Sequence, residues 1–542
     1  MEASYSSSPS SSLIVSFFSL AVLATCTALF WFWTKFKSRK LPPGPVAVPI
    51  IGSFVWLTSS ILKLEPVMKQ LRRKYGPIMT IRLGFRTLIF VSSNTLMHEI
   101  LVRKGAAFAD RPPATAATRV ITTNQHTITS GRYGPLWRVL RRNLVAEILH
   151  PARVESFREA RLWVLTHLVQ KLRSESDANG SVEAMEHFRF AMFSLLLFMC
   201  CGERLEEKAA REIETAQRAY IRNFVNLNVF VIFPRLGKWV FPNMWKEVIQ
   251  VRRGQVEALL PLIKAREHSK RLQMISSSDH GAGRKCFKDA YIDSLLALEI
   301  PVDGGVRKLT YDEMVSLCSE FLNAGSDSTA TALEWVMANV VKNKEVQAKL
   351  VKEIDEVVGE GGSGGTPRRR RRFVEEEELK KMPYLRAVVM EGLRRHPPLS
   401  YVLPHAVTEE VEINDGYVIP KGTTLNFSVA SVATDEKIWK DPLEFKPERF
   451  MGANEEEAVD ITGSKEIKMM PFGAGRRICP GLGLAMLHLE WFVANLVREF
   501  EWKTKKGEEV DLTERVEFTT IMENPLNVVL LPRNNNSKKD YC

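Results

Sequence analysis

The sequence predicts a mostly α-helical catalytic domain with a smaller β portion, carried on an N-terminal transmembrane helix. Three observations lead there. From about residue 134 to 275 apolar residues recur at three- and four-residue steps, the period of a helix with a buried face, and Leu309 to Asn343 is a long helical stretch without proline. Short alternating runs, such as Met79, Ile81 and Leu83 between Thr80 and Arg82, mark strands of a half-buried sheet. Leu13 to Trp33 carries no charge, and about 21 residues of helix span ~31 Å, a bilayer core.

Trp31 and Trp33 close that span at the interface, and Lys35, Lys37, Arg39 and Lys40 follow, whereas Glu2 is the only charge before it. Positive residues stay on the cytosolic side, so residues 1–12 are expected in the lumen and residue 35 onward in the cytosol. A cleaved signal peptide fits less well. The apolar run exceeds a typical signal core, and no basic stretch precedes it. Leu41-Pro42-Pro43-Gly44-Pro45 cannot prolong a helix. Residues 34–48 therefore read as a basic stop and proline-rich hinge, 49–533 as one catalytic domain, and 534–542 as a polar tail.

Within that domain the pattern predicts a helix near Pro66–Tyr75 and strands at Ile78–Leu83 and Thr87–Val91. Phe190–Cys201 is almost wholly apolar and should be a buried helix. Leu309–Asn343, Asn343–Val358 and Leu379–Arg395 read as helices. Strands return at Val411–Ile413, Tyr417–Ile419 and Thr424–Phe427. Pro480–Phe500 reads as a last helix and Val516–Leu531 as a hairpin. Gly359 to Pro367, followed by Arg368 to Arg372, has the composition of a solvated loop.

Apolar residues make up 45% of the 542-residue chain and charged residues 25%, the balance of a packed globular protein. The formal charge of +12 suggests an anionic partner: nucleic acid, a membrane surface or an acidic protein. No nucleic-acid-binding pattern is present, so nucleic acid is set aside. The seven cysteines are irregularly spaced, without a CxxC, as in a protein of a reducing compartment.

The chemistry concentrates in Pro471 to Gly481, which reads Pro-Phe-Gly-Ala-Gly-Arg-Arg-Ile-Cys-Pro-Gly. Gly473, Gly475 and Gly481 let backbone approach a flat ligand closely. Cys479 lies just before a predicted helix, with Pro480 suited to its first turn, and N–H groups there favour a thiolate. Arg477 can pair with a carboxylate, and Phe472 offers an aromatic face. The loop thus presents one soft anionic sulfur to a metal. A dinucleotide loop is the nearest rival, but the third glycine of that motif is Ile478 here.

This segment resembles the haem-binding loop of the cytochromes P450, F-x-x-G-x-R-x-C-x-G, at every fixed position. The resemblance extends from about residue 41 to 531 and implies that family's fold. It implies haem b, with Cys479 as the iron's thiolate ligand, a ligand that favours O–O cleavage. Glu391-Gly392-Leu393-Arg394 is similar to the family's E-x-x-R, and Pro447-Glu448-Arg449-Phe450 to its P-E-R-F. Glu391, Arg394 and Arg449 would then form a structural ion network. Trp137 and Arg141 match W-x-x-x-R, and with His405 would meet the haem propionates. Ala324-Gly325-Ser326-Asp327-Ser328-Thr329 resembles the oxygen-handling motif, where the family's helix opens at the glycine. Asp327, Ser328 and Thr329 would there deliver protons. Ser328 stands where most members have threonine.

Among cytochromes P450 the chain looks most like plant microsomal members, family 89, subfamily A. Phe108 to Pro113, Glu147 to Pro151, Val389 to Pro398 and Gly481 to Glu490 carry that likeness. It implies a single-pass endoplasmic reticulum protein that inserts one atom of O2 into a small organic substrate. That substrate would be a lipophilic or tetrapyrrole-type plant metabolite. No flavin or nicotinamide domain is visible, so electrons would come from an NADPH–cytochrome P450 reductase, with cytochrome b5 a second donor. Arg476, with Arg138, Arg141 and Arg142, would suit such an acidic partner. The resemblance places the pocket in 111–130, 223–233, 317–329, 399–403 and 519–524. Two other readings remain: a reductase-independent haem-thiolate isomerase or dehydratase, and a non-catalytic haem-binding membrane protein.

Overall fold

The computed structural model describes residues 16–17, 19–26, 28, 40–45, 64–83, 86–223, 230, 237–276, 290–359, 373–414, 416–452 and 459–533. The Arg368–Arg372 run, most of 223–233, both ends of the expected anchor and the polar tail lie outside them. The described part of the anchor is helical and exposes Phe17, Leu20 and Leu23.

Near the N-terminus a helix, Leu64–Tyr75, leads into the strand Ile78–Leu83, which pairs antiparallel with Arg86–Val91. Thr424–Phe427 then adds parallel to Arg86–Val91, with Leu88 opposite Thr424, and His405–Ala406 closes the four-stranded sheet. Its alternation buries Ile78, Ile89, Val91, Leu425 and Phe427. Part of the proline-rich hinge is fastened to this end of the molecule. Thr80 N–H donates to the Pro43 carbonyl (2.8 Å) and Val418 N–H to that of Lys40 (2.8 Å).

Most of the remaining chain is helical. Arg158–Asn179, Ala184–Cys201, Glu207–Asn223 and Pro242–Ser276 precede a central helix, Tyr311–Lys342. Lys344–Gly359, Pro383–Arg395 and Leu482–Glu499 follow it. Thr310 caps the central helix by a reciprocal exchange with Glu313. Ala184–Cys201 is long and apolar enough to cross a membrane, but it packs in the core against the central helix. Gly325 permits this approach: a Cβ there would lie 2.6 Å from Leu196 Cδ1. The central helix runs unbroken through Ala324–Thr329, so the opening expected at this glycine is replaced by close helix packing.

Three expected elements differ. The Leu379–Arg395 helix is divided, because Pro383 supplies no N–H to continue the preceding 3₁₀ turn Glu376–Lys381. The last helix starts at Leu482, since the Gly481 carbonyl accepts its first bond, from Ala485 N–H (2.8 Å). The Val516–Leu531 hairpin is two structures. Glu514–Val516 pairs with Thr520–Met522, whereas Asn527–Pro532 joins Phe500–Lys503 and Val182–Glu183 in another sheet. The five described cysteines, Cys26, Cys200, Cys201, Cys318 and Cys479, are all free.

His488 is buried in the core on the last helix, and its Nε2 has no partner among the described residues. Burial, then the field of Arg161, pushes its pKa down to about 3. The folded state thus refuses a proton that the unfolded chain accepts near 6.5. This contribution to stability is full above pH 6.5 and is lost as the pH falls towards 3. Below 6.5 it changes by up to ~1.4 kcal/mol per pH unit. Urea unfolding at pH 7 and pH 5 should show a smaller acid loss in His488→Leu than in the parent chain. Equal losses would refute the assignment.

Candidate active site

The cysteine loop is fixed by its own backbone. Cys479 N–H donates to the Phe472 carbonyl (2.8 Å), Ile478 N–H to Gly475 (3.1 Å) and Gly473 N–H to Met470 (3.0 Å). Gly475 has φ +70°, and a Cβ there would lie 1.9 Å from the Leu101 carbonyl oxygen. No side chain fits. Pro480 precedes the helix rather than opening it, and the helix start reaches the thiol through the N–H of its N-cap, Gly481. Gly481 N–H and the Arg141 guanidinium pull its pKa down, but burial pushes it up by more. The sulfur is nevertheless accessible, although it lies deep in the fold. It therefore lies in a recess of the fold.

A cluster of buried and half-buried cations lies beside the loop. Arg141 donates to the Ile478 carbonyl (2.6 Å) and lies over the Trp137 ring. It has turned inward, away from the exposed Arg138 and Arg142, so the expected basic face lacks it. Arg477 donates to the carbonyls of Ala109 (2.7 Å), Ile128 (3.2 Å) and Gly131 (2.6 Å). Trp137 Nε1 also donates to Ile128 (3.0 Å). Arg111, which the sequence offered only as the edge of a pocket range, donates to Thr129, Leu403 and Pro404. Burial, then Arg477, lowers its pKa to about 9. His405 Nδ1 meets the Phe108 carbonyl (2.7 Å), so Nδ1 carries the proton. Burial, then Arg111, pushes the ring's pKa to about 3. Among the described residues, no carboxylate forms an ion pair with Arg111, Arg141 or Arg477.

On the central helix, Asp327 is held from both sides. Thr519 Oγ1 donates to one oxygen (2.8 Å), and Arg189 Nε lies 3.4 Å from the other. Neither partner carried a sequence signal, because Thr519 is 192 residues away and Arg189 lies in an apolar helix. Ser328 Oγ donates to the Ala324 carbonyl four residues back (2.7 Å), and Thr329 is buried.

Behind the site, Glu391 and Arg394 form a fully buried two-bond pair (2.6 and 2.8 Å). Arg449 Nε approaches Glu391 (3.3 Å), and Lys446 N–H donates to it (2.8 Å). Arg394 reaches the Ala433 carbonyl (2.7 Å), while Arg449 bonds Lys440 and Asp441. The network ties the Pro383–Arg395 helix to the segment that precedes the cysteine loop.

A family profile described as cytochrome P450 matches residues 42–531. The chain belongs to the cytochrome P450 family. It is 44% identical over 506 residues to cytochrome P450 89A9 of Arabidopsis thaliana, covering 92% of this chain and 95% of that one. It is 30% identical to a flavonoid 3′-monooxygenase of Petunia hybrida, covering 93% and 94%. A solved zebra fish cytochrome P450, with abiraterone, shares the fold at TM-score 0.66 and 20% identity, covering 87% of this chain and all of that one.

Cytochromes P450 are haem b monooxygenases, and the residues here fit that group. An exposed cysteine lies among largely desolvated cations whose hydrogen bonds go to carbonyls, which leaves their charge for two propionates. Rigidity of the loop is part of the fit. Gly475→Ala should destabilise this P450 by roughly 2–3 kcal/mol, because both the positive φ and the Leu101 carbonyl oppose a Cβ. An unchanged urea midpoint would show that the loop can shift instead.

Proposed function

We propose that this P450 is a membrane-bound haem-thiolate monooxygenase with its catalytic domain in the cytosol. It places one atom of O2 in a small lipophilic or tetrapyrrole-type plant metabolite. Electrons come from an NADPH–cytochrome P450 reductase, with cytochrome b5 as a second donor. The observation that carries this reading is the accessible sulfur of Cys479 in a desolvated, cationic interior.

Cys479 is the metal ligand in this reading, and Phe472 packs on the ring. Trp137, Arg141, Arg477 and His405 hold the propionates, and a propionate beside His405 favours its charged form. The haem supplies oxygen activation when bound. Asp327, Ser328 and Thr329 supply protons. Asp327 is oriented by Thr519 and Arg189, and the Ser328 hydroxyl keeps an accessible face despite its back-bond.

The apolar span Leu13–Trp33, helical where described, supports the anchor. Arg138, Arg142 and Arg476 are exposed and support docking of an acidic redox partner. Arg476 donates to the Tyr133 hydroxyl (2.8 Å), and Arg138 lies over the same ring.

The test is the absorption spectrum of reduced, carbon-monoxide-bound protein in reconstituted membranes. A thiolate-ligated haem gives a strongly red-shifted Soret band, which Cys479→Ala should abolish. Its absence from folded parent protein would refute the reading. Turnover should also stop without NADPH. Undiminished turnover would favour the isomerase or dehydratase, whose reaction needs no external electrons.

A further inference from the structure

A cleft of about 210 Å³ lies on the side of the helical region. Its walls are Arg158–Asn179, Ala184–Cys201, the start of Glu207–Asn223 and the turn that joins the last two. Phe190, Ala191, Ser194, Leu197 and Phe198 form its floor, and their spacing places them on one face of Ala184–Cys201. Ala191 and Ser194 are small, which keeps the floor open. The same helix meets the central helix through other positions. Arg189 lies beside Asp327, and Leu196 packs on Gly325. These two point away from the cleft, at ~100° of helix turn per residue. One helix therefore separates the cleft from Asp327. None of the residues assigned above to the thiolate or the propionates lines it.

The floor is apolar and the rim is charged. Lys171 and Arg211 share the carboxylate of Glu207, at 3.1 and 3.0 Å. Arg204 differs from them. Its guanidinium lies over the Trp163 ring, 4.8 Å from the centroid, and makes no ion pair among the described residues. Gly202 sets its place. It ends the Ala184–Cys201 helix at φ +79°, and its N–H donates to the Phe198 carbonyl (2.7 Å). The turn that follows carries Arg204 and Leu205 to the cleft. Around the rim three cations, Lys171, Arg204 and Arg211, outnumber two carboxylates, Glu203 and Glu207.

Size and charge together select a ligand. An apolar cavity of roughly 150 Å³ holds one benzene ring, so this cleft suits one ring with a short substituent. A cationic ligand gains little, because the aromatic faces that would receive it are covered. Arg204 lies over Trp163, and Arg211 lies 3.9 Å from the Phe190 centroid. An anionic ligand gains the unpaired charge of Arg204, whose planar guanidinium suits a carboxylate.

We infer that this cleft is a second ligand site, separate from the haem cavity, which binds a small aromatic carboxylate. The ring packs on the floor around Ala191 and Ser194, and the carboxylate faces the rim cations. The site stands apart from the haem-thiolate reading and does not depend on it.

The experiment titrates full-length, haem-loaded protein in lipid nanodiscs by calorimetry. The probes are phenylacetate and its neutral counterpart phenylethanol, with saturating phenylimidazole present to fill the haem cavity. The parent protein should bind phenylacetate saturably, one per chain, and about fivefold more tightly than phenylethanol. Arg204→Gln changes an exposed side chain and should bring the two affinities within about twofold. Ser194→Leu should weaken both probes by about tenfold, because the larger side chain occupies the floor. Circular dichroism checks the fold of each variant, and Ser194→Val replaces the leucine variant if that one does not fold. No saturable binding, equal binding of acid and alcohol by the parent, or acid binding unchanged in either variant would overturn the proposal. Should the haem-thiolate reading fail, phenylimidazole would have no site, and the effects of the two variants would still report on the cleft.

Discussion

One thiol, that of Cys479, lies exposed within a packed protein, and burial opposes its ionisation. Much of the site answers that constraint. Gly481 N–H and Arg141 act on the sulfur directly, while Arg477 and Arg111 are anchored on the carbonyls of Gly131 and Thr129 in one neighbouring loop. These cations are themselves desolvated, which lowers the pKa values of all three arginines. They are held by carbonyl oxygens, which orient a guanidinium without cancelling its charge. The arrangement keeps a positive interior that suits a dianionic ligand.

Such a centre works only if it cannot relax. The loop carrying Cys479 is pinned by its return bond to Phe472 and by the contact of Gly475 with Leu101. The Glu391–Arg394–Arg449 network fixes the backbone upstream. A buried ion pair is not strongly stabilising by itself, because desolvation offsets much of the attraction. Its value here is geometric. Glu391 takes two bonds from Arg394, one from Arg449 and one from a backbone N–H, so each oxygen defines a position.

The central helix divides its labour by face. Most of it is core, with Trp335 stacked on His396 at 4.0 Å and donating to Thr520. Asp327 points into a polar contact between helix and C-terminal hairpin. Between Glu313 and Val341 only Glu320, Ala324, Gly325 and Ser328 escape burial. One helix thereby carries core packing, a clamped acid and an unburied stripe, separated by its 3.6-residue period.

The sequence by itself determined the family, the cysteine and the order of the helices. Cys479, Glu391, Arg394 and Arg449 lie in short motifs whose spacing is readable, and the strands Ile78–Leu83 and Thr424–Phe427 show their alternation plainly. Contacts that join distant segments were decided only by the tertiary structure. Thr519 on Asp327, Ile128 on Glu320 and Asn527–Pro532 beside Phe500–Lys503 leave no local periodicity. Gly325 shows the limit well. Its motif suggested an opened helix, whereas Leu196, brought from another helix, requires the missing side chain for close packing. Propensity and spacing act over one or two turns. Which carboxylate is paired, which arginine turns inward and which face stays open depend on desolvation, and desolvation is a property of the assembled interior.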